Sequence, residues 1–407
     1  MNETTTKFFP YLERLLDGEE VEWKTLGEVA ELYAGLSGKN KEHFQKGNAP
    51  YVTYKNIFEN LAVDSSILEM VSIEADERQH AIKYGDILIT GSSENIEEVG
   101  MASVVTFHPE TEIYLNSFSF GIRFHSAIQL SPEFTKYLFR SDLLRKQIMK
   151  TASGVTRFNV SKKKFLAITL PIPPLRVQAR IVEILDKFTQ LEAELQAELE
   201  ARRKQYAYYR DQLLNFSQYP PLNVNIEWKT LGEMAEIGTG SSNRQDEAEN
   251  GVYPFYVRSK NILRSSTYQF DETAIIIPGE GGIGDIFHYT EGKYALHQRA
   301  YRIKVNAENE LFPKFLFYYM TNAFKPFILS RCVGATATSI RKPMLTDFPI
   351  PIPPLSEQRR IVDILDRFDT LTNSISEGLP KEIALRRKQY AYYRDALLSF
   401  PRPEASA

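Results

Sequence analysis

The chain repeats itself. Residues 23–30 read WKTLGEVA and residues 228–235 read WKTLGEMA, seven of eight positions identical at an offset of 205. Residues 171–188, PIPPLRVQARIVEILDKF, return at 351–368 as PIPPLSEQRRIVDILDRF, thirteen of eighteen identical at an offset of 180. Residues 202–216, RRKQYAYYRDQLLNF, return at 386–400 with thirteen of fifteen identical at an offset of 184. Three matches in one order make the chain a tandem duplication. The offset is still 205 at Lys55-Asn56-Ile57 (Lys260-Asn261-Ile262) and has fallen to 180 by Gly154 (Gly334), so the first copy holds 25 extra residues between Ile57 and Gly154. The middles of the copies have diverged almost beyond alignment, which implies one framework carrying two different functional surfaces.

Each copy divides in two. The stretches at about 21–170 and 226–350 mix short alternating runs with turn signals. Strands are expected at 83–90, at 117–124 (Phe118, Phe120, Ile122 and Phe124 on one face) and at 274–277, and helices at 131–149 and 312–329. These parts read as α/β domains. After Pro173-Pro174 and Pro353-Pro354 a helix can open without losing a hydrogen bond. From Arg176 to Phe216 there is neither Gly nor Pro. Ile184, Phe188, Leu191 and Leu195 are spaced as a coiled-coil seam, as are Ile364, Phe368, Leu371 and Ile375. About 40 residues would make a rod of roughly 60 Å. The simplest arrangement pairs the two rods antiparallel; the alternative lays each along its own domain. The second rod carries four extra residues near Gly378-Leu379-Pro380, a stutter that Pro380 should kink.

The net charge is only −3, with 49 Lys+Arg against 52 Asp+Glu, but the average hides segregation. From 143 to 182 there are nine basic residues and no acidic one; from 311 to 346 there are five basic (Lys314, Lys325, Arg331, Arg341, Lys342) and again none acidic. Acid gathers elsewhere, as at 192–200. Basic runs at corresponding places in both copies are the footprint of phosphate binding. Within them, Gly154-Val155-Thr156-Arg157-Phe158-Asn159 precedes Lys162-Lys163-Lys164, and its counterpart, with Thr336 and Ser339, precedes Arg341-Lys342. Hydroxyls, amides and cations after a glycine turn suit phosphates and base edges. The clusters Lys39, Lys41, Lys55, Asn56 and Arg244, Arg258, Lys260, Asn261 have the same composition, and His297-Gln298-Arg299 is a further candidate to reach DNA. A solvated surface run is the plain alternative.

The sequence carries no recognisable catalytic motif. Gly279-Glu280-Gly281-Gly282-Ile283-Gly284 fits G-x-G-x-x-G, but a strand-like run follows where a dinucleotide site needs a helix, so a hairpin is expected. No Walker A sequence occurs. No Pro-Pro pair sits between Asp or Asn and an aromatic, the arrangement of amino-methyltransferases. The six histidines show no metal-ligand spacing, and Cys332, the only cysteine, permits no internal disulfide. No signal-peptide pattern and no run of 18 apolar residues is present, so a soluble cytoplasmic protein without membrane attachment is expected.

The repeated PIPPL-x-x-Q-x-R-I-V-[ED]-I-L-D and RRKQYAYYRD, flanking two diverged domains from about Trp23 to Phe400, closely resemble the specificity subunit of type I restriction–modification systems. That resemblance implies two globular α/β target recognition domains (1–173 and 217–353) separated by two long antiparallel coiled-coil helices (174–216 and 354–401) with pseudo-twofold symmetry. Each domain would read one half of an asymmetric bipartite site on double-stranded DNA, and the helices would set the unread spacer. Two methyltransferase subunits would dock on the helical regions, and restriction subunits would join that core. S-adenosylmethionine, ATP and Mg would sit on those partners, leaving this chain without cofactor, metal or catalytic role. The docking residues would be Tyr206, Tyr209, Arg210, Tyr390, Tyr393 and Arg394; alternatively, the tyrosines seal the helix pair. The rival class is a coiled-coil protein-interaction scaffold that never touches DNA.

Overall fold

The matched sequence ends of each copy turn out to be hydrogen-bonded to one another. In a computed structural model, which describes residues 9–219, 226–282, 284–331 and 339–402, Glu22–Thr25 runs antiparallel to Thr169–Ile172, with Trp23 opposite Pro171. In the second copy Glu227–Thr230 pairs with Pro349–Ile352 in the same register, Trp228 opposite Pro351. Each pair closes its domain, and each leads into a short helix fixed by a capping box: the Glu28 carboxylate accepts from Thr25 N–H at 2.7 Å, and that of Glu233 from Thr230 N–H at 2.6 Å. The glycine inside the motif sits where the chain passes close by. A Cβ on Gly27 would lie 3.3 Å from the Leu166 carbonyl oxygen, and one on Gly232 would lie 3.0 Å from Thr346 Cβ.

The diverged middles fold alike. The first domain holds an antiparallel sheet of Ala30–Ala34, Ser119–Phe124, Ile87–Thr90 and Ala102–Val104, in that order. The second repeats it with Ala235–Thr239, Ala300–Val305, Ala274–Pro278 and His288–Thr290. A smaller sheet beside each contains one parallel pair: Ala49–Val52 with Tyr114–Leu115, and Tyr253–Tyr256 with Lys293–Leu296. The glycine-rich run after 278 is a hairpin connection, as expected, since Ala274–Pro278 pairs antiparallel with His288–Thr290.

Two compact units emerge. One comprises Met1–Glu194 with Ile383–Ala407, the other Leu195–Glu382. Each therefore contains a globular domain, the opening of that domain's own helix and the end of the other copy's helix. In the first unit Val177, Ile181 and Leu185 share a core with Leu397, Leu398 and Phe400. In the second, Ile361 and Leu365 share one with Leu214 and Phe216. Within each unit the two helical pieces run antiparallel. Phe188 stacks on Tyr393 at 5.4 Å and Glu192 pairs with Arg387 at 2.6 Å; in the second unit Tyr206 stacks on Phe368 at 5.9 Å while Arg203 reaches the Thr372 carbonyl.

Several local expectations are corrected. Helix Leu175–Leu214 is continuous over 40 residues, but its counterpart is two helices, Leu355–Asn373 and Gly378–Leu397. The extra residues break the rod instead of kinking it, and Pro380 sits in the first turn of the new helix, where its missing N–H costs nothing. Ile375, placed in the seam, lies in that break and is 89% exposed, while Ile383 is buried. The helix expected at 131–149 is two, Pro132–Leu138 and Asp142–Thr151, separated by the fully buried Ser141. The strand expected at 83–90 begins only at Ile87, after a turn at Gly85 (φ 84°). Phe118 lies outside Ser119–Phe124 and is 64% exposed, not on the buried face with Phe120.

Candidate nucleic-acid interface

In the first domain one serine joins two of the candidate clusters. Ser92 lies on Ser92–Ser93, which pairs with Phe158–Val160. Its hydroxyl accepts from the Arg157 guanidinium at 2.9 and 3.1 Å, and its carbonyl accepts from the Tyr54 hydroxyl at 2.9 Å. The neighbouring Gly91 N–H donates to the Phe118 carbonyl at 2.8 Å. The turn at 154–159 and the cleft around Tyr54 are thus one continuous surface. Gly154 is required there: its φ is 142° and a Cβ would lie 2.0 Å from the Arg157 carbonyl oxygen. Thr156, Arg157 and Asn159 are exposed on this turn. Lys162, Lys163 and Lys164 follow at the head of a short helix, exposed and without an ion pair among the described residues; Lys162 lies 5.6 Å from the Phe120 ring centroid.

The cleft beside that turn has a volume of about 530 Å³ and is lined by Lys41, Lys55, Phe44, Tyr54 and Phe118 among others. Cations interleaved with aromatic rings suit phosphates on the rim and base faces or methyl groups inside. Two expected members leave the set. Lys39 also borders the cleft, but its side chain is 2% exposed and spent on Glu77 at 2.5 Å, which holds the Glu77 carboxyl down at about 2. Asn56 is fully buried in helix Tyr54–Glu59, donating to the Asp64 carbonyl at 2.8 Å and accepting from Asp64 N–H at 3.0 Å, so it cannot meet a base edge. Its counterpart Asn261 lies exposed in a loop, because the first copy's extra residues begin here and alter the local path. Phe118 was missed as a surface residue because alternation placed it on one strand face with Phe120 and Ile122.

In the second domain a cleft of about 500 Å³ draws together Arg244, Arg258, Asn261, Glu280 and His297 from four separate segments. Glu280, overlooked inside the glycine-rich run, organises it. Its carboxylate accepts from Arg258 at 2.9 Å and Arg299 at 3.1 Å, and those guanidinium groups, Arg299 foremost, hold it below the ordinary carboxylate range. The Glu280 backbone also forms an isolated antiparallel β-bridge with that of Ser339, which leads into exposed Arg341 and Lys342. Gln298 donates to Asn243 at 2.6 Å, and Lys260 is exposed beside the cleft. Thr336 and Cys332 lie outside the described residues.

The acid-free runs are not acid-free in space. Arg145 is largely buried and donates to the carbonyls of Glu97, Val99 and Gly100, while Lys146, Arg176 and Arg180 pair with Asp142, Glu19 and Glu183. In the second domain Lys314 and Lys325 pair with Asp366 and Asp285. The cations left for a polyanion in the first run are mainly Lys150, Arg157 and Lys162–Lys164.

Two histidines of the second domain are held neutral. Burial pushes His288 below its ordinary value against the bond from its ring to the Ser259 carbonyl. Burial first, then Arg258 and Arg299, does the same for His297, whose Nδ1 accepts from Arg299 N–H at 3.0 Å. Both folded values lie below 6.5, so the unfolded chain takes up protons that the folded one refuses. Their contribution to stability is whole above that pH and falls away as pH drops beneath it. The His288→Gln/His297→Gln chain should lose less urea resistance between pH 7.5 and 5.5 than the parent; equal losses would show that these rings do not set the dependence.

On the helices, the expected docking tyrosines are largely occupied. Tyr206 and Tyr209 both stack on Phe368 at 5.9 Å, Tyr393 stacks on Phe188, and Tyr390 stands edge-on to Tyr137 at 6.4 Å. Arg210 and Arg394 are engaged by Asp211 and Asp395 at 3.0 and 2.8 Å. The rings chiefly seal the helix pairs. Tyr208 and Tyr392, one position away, are 59% and 63% exposed and were missed. Among the described residues no helix is long and apolar enough to cross a membrane.

The chain is thus a duplicated α/β frame with a differently lined cleft on each domain. The family profile of the type I restriction modification DNA specificity domain matches residues 18–201 and again 223–385. The EcoR124I/EcoR124II specificity subunit of Escherichia coli is 34% identical over 97% of this chain and 98% of its own length. A specificity subunit assigned to Haemophilus influenzae is 30% identical over 96% and 98%. Among solved structures, the S subunit of a type I system from M. genitalium superposes with a TM-score of 0.53 at 15% identity, covering 95% of this chain and 98% of the other. A chain from a study of type I complex assembly and conformational transition gives 0.62 at 19%, covering 94% and 98%. The chain belongs to the type I restriction–modification DNA specificity family and is a specificity subunit with two target recognition domains.

Proposed function

We propose that each globular domain reads one half of an asymmetric, bipartite site on double-stranded DNA, through the Ser92-centred surface in the first domain and the Glu280-centred cleft in the second. The observation that carries this reading is the contrast between the two clefts on one frame. Aromatic rings interleaved with lysines line one, and arginines cross-braced by a glutamate line the other. Different side chains on the same scaffold read different bases, so the two half-sites differ. The family membership weighs against the scaffold reading, which has no use for such surfaces.

The helical pieces set the unread spacer and dock two methyltransferase subunits, with restriction subunits joining that core in the cytoplasm. Exposed Tyr208 and Tyr392 are better placed for docking than the half-buried Tyr206, Tyr390 and Tyr393. The chain supplies no chemistry of its own in this reading; S-adenosylmethionine, ATP and Mg belong to the partners.

A map of adenine methylation in the native host, with and without this gene, tests the reading. Loss of one asymmetric, gapped motif on deletion supports it, and a palindromic motif contradicts it. Adding one heptad to each helix, within Leu175–Leu214 and within Gly378–Leu397, should lengthen the helical path by about 10.5 Å. That is worth about three base pairs of duplex. The spacer in the methylation map should grow while both half-sites stay the same, and an unchanged spacer would sink the ruler.

A further inference from the structure

One position of the frame is built alike in both domains and filled differently. Ser119 opens a central strand of the first sheet opposite Thr90, and Ala300 opens its counterpart opposite Pro278. The residue just before each strand, Phe118 or Arg299, is clamped at both ends of its backbone. Phe118 N–H donates to Asn116 Oδ1 at 3.0 Å, and Arg299 N–H to His297 Nδ1 at 3.0 Å. The Phe118 carbonyl accepts from Gly91 N–H at 2.8 Å, and the Arg299 carbonyl from Gly279 N–H at 2.8 Å. A Cβ on Gly91 or Gly279 would lie 2.7 or 2.8 Å from that carbonyl oxygen, so each clamp closes on a glycine. Asn116 and His297 are buried, and their own N–H groups donate to the Val52 and Tyr256 carbonyls. The residue after each glycine also pairs alike, Ser92 with Asn159 and Glu280 with Ser339.

A backbone held this firmly presents its side chain in one place. Phe118 stands exposed at the mouth of the first cleft, and Arg299 reaches Glu280 in the wall of the second. Around Phe118 the tyrosine hydroxyls are already used, Tyr54 on the Ser92 carbonyl and Tyr51 on Glu69. What faces outward there is chiefly ring surface. An apolar side chain finds one apolar handle on the base edges of the major groove, the thymine methyl group. A guanidinium in the same place finds O6 and N7 of guanine.

We propose that residues 118 and 299 are one specificity-determining position used twice: Phe118 reads a thymine of the first domain's half-site through its methyl group, and Arg299 reads a guanine of the second's. The inference rests on the reading that each domain recognises half of a DNA site. Lys41 and Lys55, on the rim of the first cleft, hold phosphates and bring the base edge to the ring. Glu280 acts through Arg299, fixing the angle of its guanidinium group, and is a positioning residue.

The test maps adenine methylation in the native host, deleted for this gene and complemented with the parent, Phe118→Ala or Arg299→Ala chain. Phe118→Ala should make one T·A position of one half-site degenerate, Arg299→Ala one G·C position of the other, with every remaining base kept. Phe118→Leu, still apolar, should keep the thymine. A motif unchanged by both alanine substitutions, relaxed twice in the same half-site, or relaxed at pairs other than these overturns the proposal. Should either variant lose methylation altogether, the parent chain, purified from the host with its partners, decides by binding duplexes of the mapped motif. Replacing each thymine in turn by uracil should weaken binding about fourfold at one position, the worth of one buried methyl group. Replacing each guanine by 7-deazaguanine should weaken it about tenfold at one position of the other half-site. Binding indifferent to every such replacement overturns the proposal. A methylome unaltered by deleting the gene defeats the reading of the domains and this inference with it. A gapped motif that depends on the gene but ignores both substitutions defeats the inference alone.

Discussion

Replacing Lys162, Lys163 and Lys164 together by Ala is expected to weaken binding to duplex DNA of any sequence by two to three decades near 0.1 M salt. Each phosphate contact adds about 0.9 to the slope of log affinity against log salt, so three lost contacts flatten it by about 2.7. The expectation is large because these ammonium groups are exposed and carry no ion pair among the described residues. Their charge is free to displace counterions from DNA. Lys146, Arg176 and Arg180 belong to the same basic run but are matched by Asp142, Glu19 and Glu183, so the loss of any one should barely move the slope. Anisotropy titrations at three salt concentrations, with a cognate and an unrelated duplex, check both numbers. Equal affinity and slope in parent and triple variant would show that the patch does not meet phosphate.

The second large effect is on stability, and the repeat predicts it twice. Gln178 and Gln358, the glutamines of the PIPPL-x-x-Q motif, are fully buried. Gln178 accepts from Ser131 N–H at 2.9 Å and donates to the carbonyls of Gln129 and Pro173 at 2.7 and 2.8 Å. Gln358 accepts from Phe312 N–H at 2.7 Å and donates to those of Glu310 and Pro353 at 2.7 and 2.8 Å. Each thereby ties the start of a long helix to the loop before a domain helix. Gln→Ala at either site strands one buried N–H and two carbonyls, at about 1–3 kcal/mol apiece where water cannot replace the partner. A loss of roughly 3–9 kcal/mol is comparable with the whole stability of a small domain. Gln→Met, which keeps most of the volume, should cost nearly as much and so separates hydrogen bonding from cavity formation. Urea unfolding measures the loss, and hydrogen exchange should show it confined to the unit that carries the substitution. A Gln358→Met chain with an unchanged midpoint would show that these bonds are not needed.

Much of this was legible beforehand because duplication writes the frame twice. WKTLGE and PIPPL stand out as repeated strings, and the structure shows why both recur: they are the two strands that close each domain, with the glutamine clamp immediately downstream. The candidate sites were legible only as clusters. Composition picked out Lys55-Asn56 and Lys260-Asn261 as equals, yet one asparagine is buried in a helix and the other exposed in a loop. Lys39 looked as available as Lys41 until Glu77, 38 residues away, was seen to consume it. Glu280 was hidden because a glycine-rich run draws attention to its glycines. The stutter was legible as four extra residues, but whether a helix absorbs them or breaks depends on local competition. Gly378 with φ 71° and Pro380 just after it favour a fresh start over continuation.

By itself, then, the sequence determined the duplication, the α/β domains, the helical partition and the family, because these rest on local pattern: repeated strings, periodicity, and the placement of Pro and Gly. Tertiary structure alone decided which cations are free, which tyrosines seal and which stand exposed, and that Ser92 and Glu280 each gather a surface from distant segments. Charge pairing, burial and cleft formation are set by residues far apart along the chain, and no local pattern records which of them will meet.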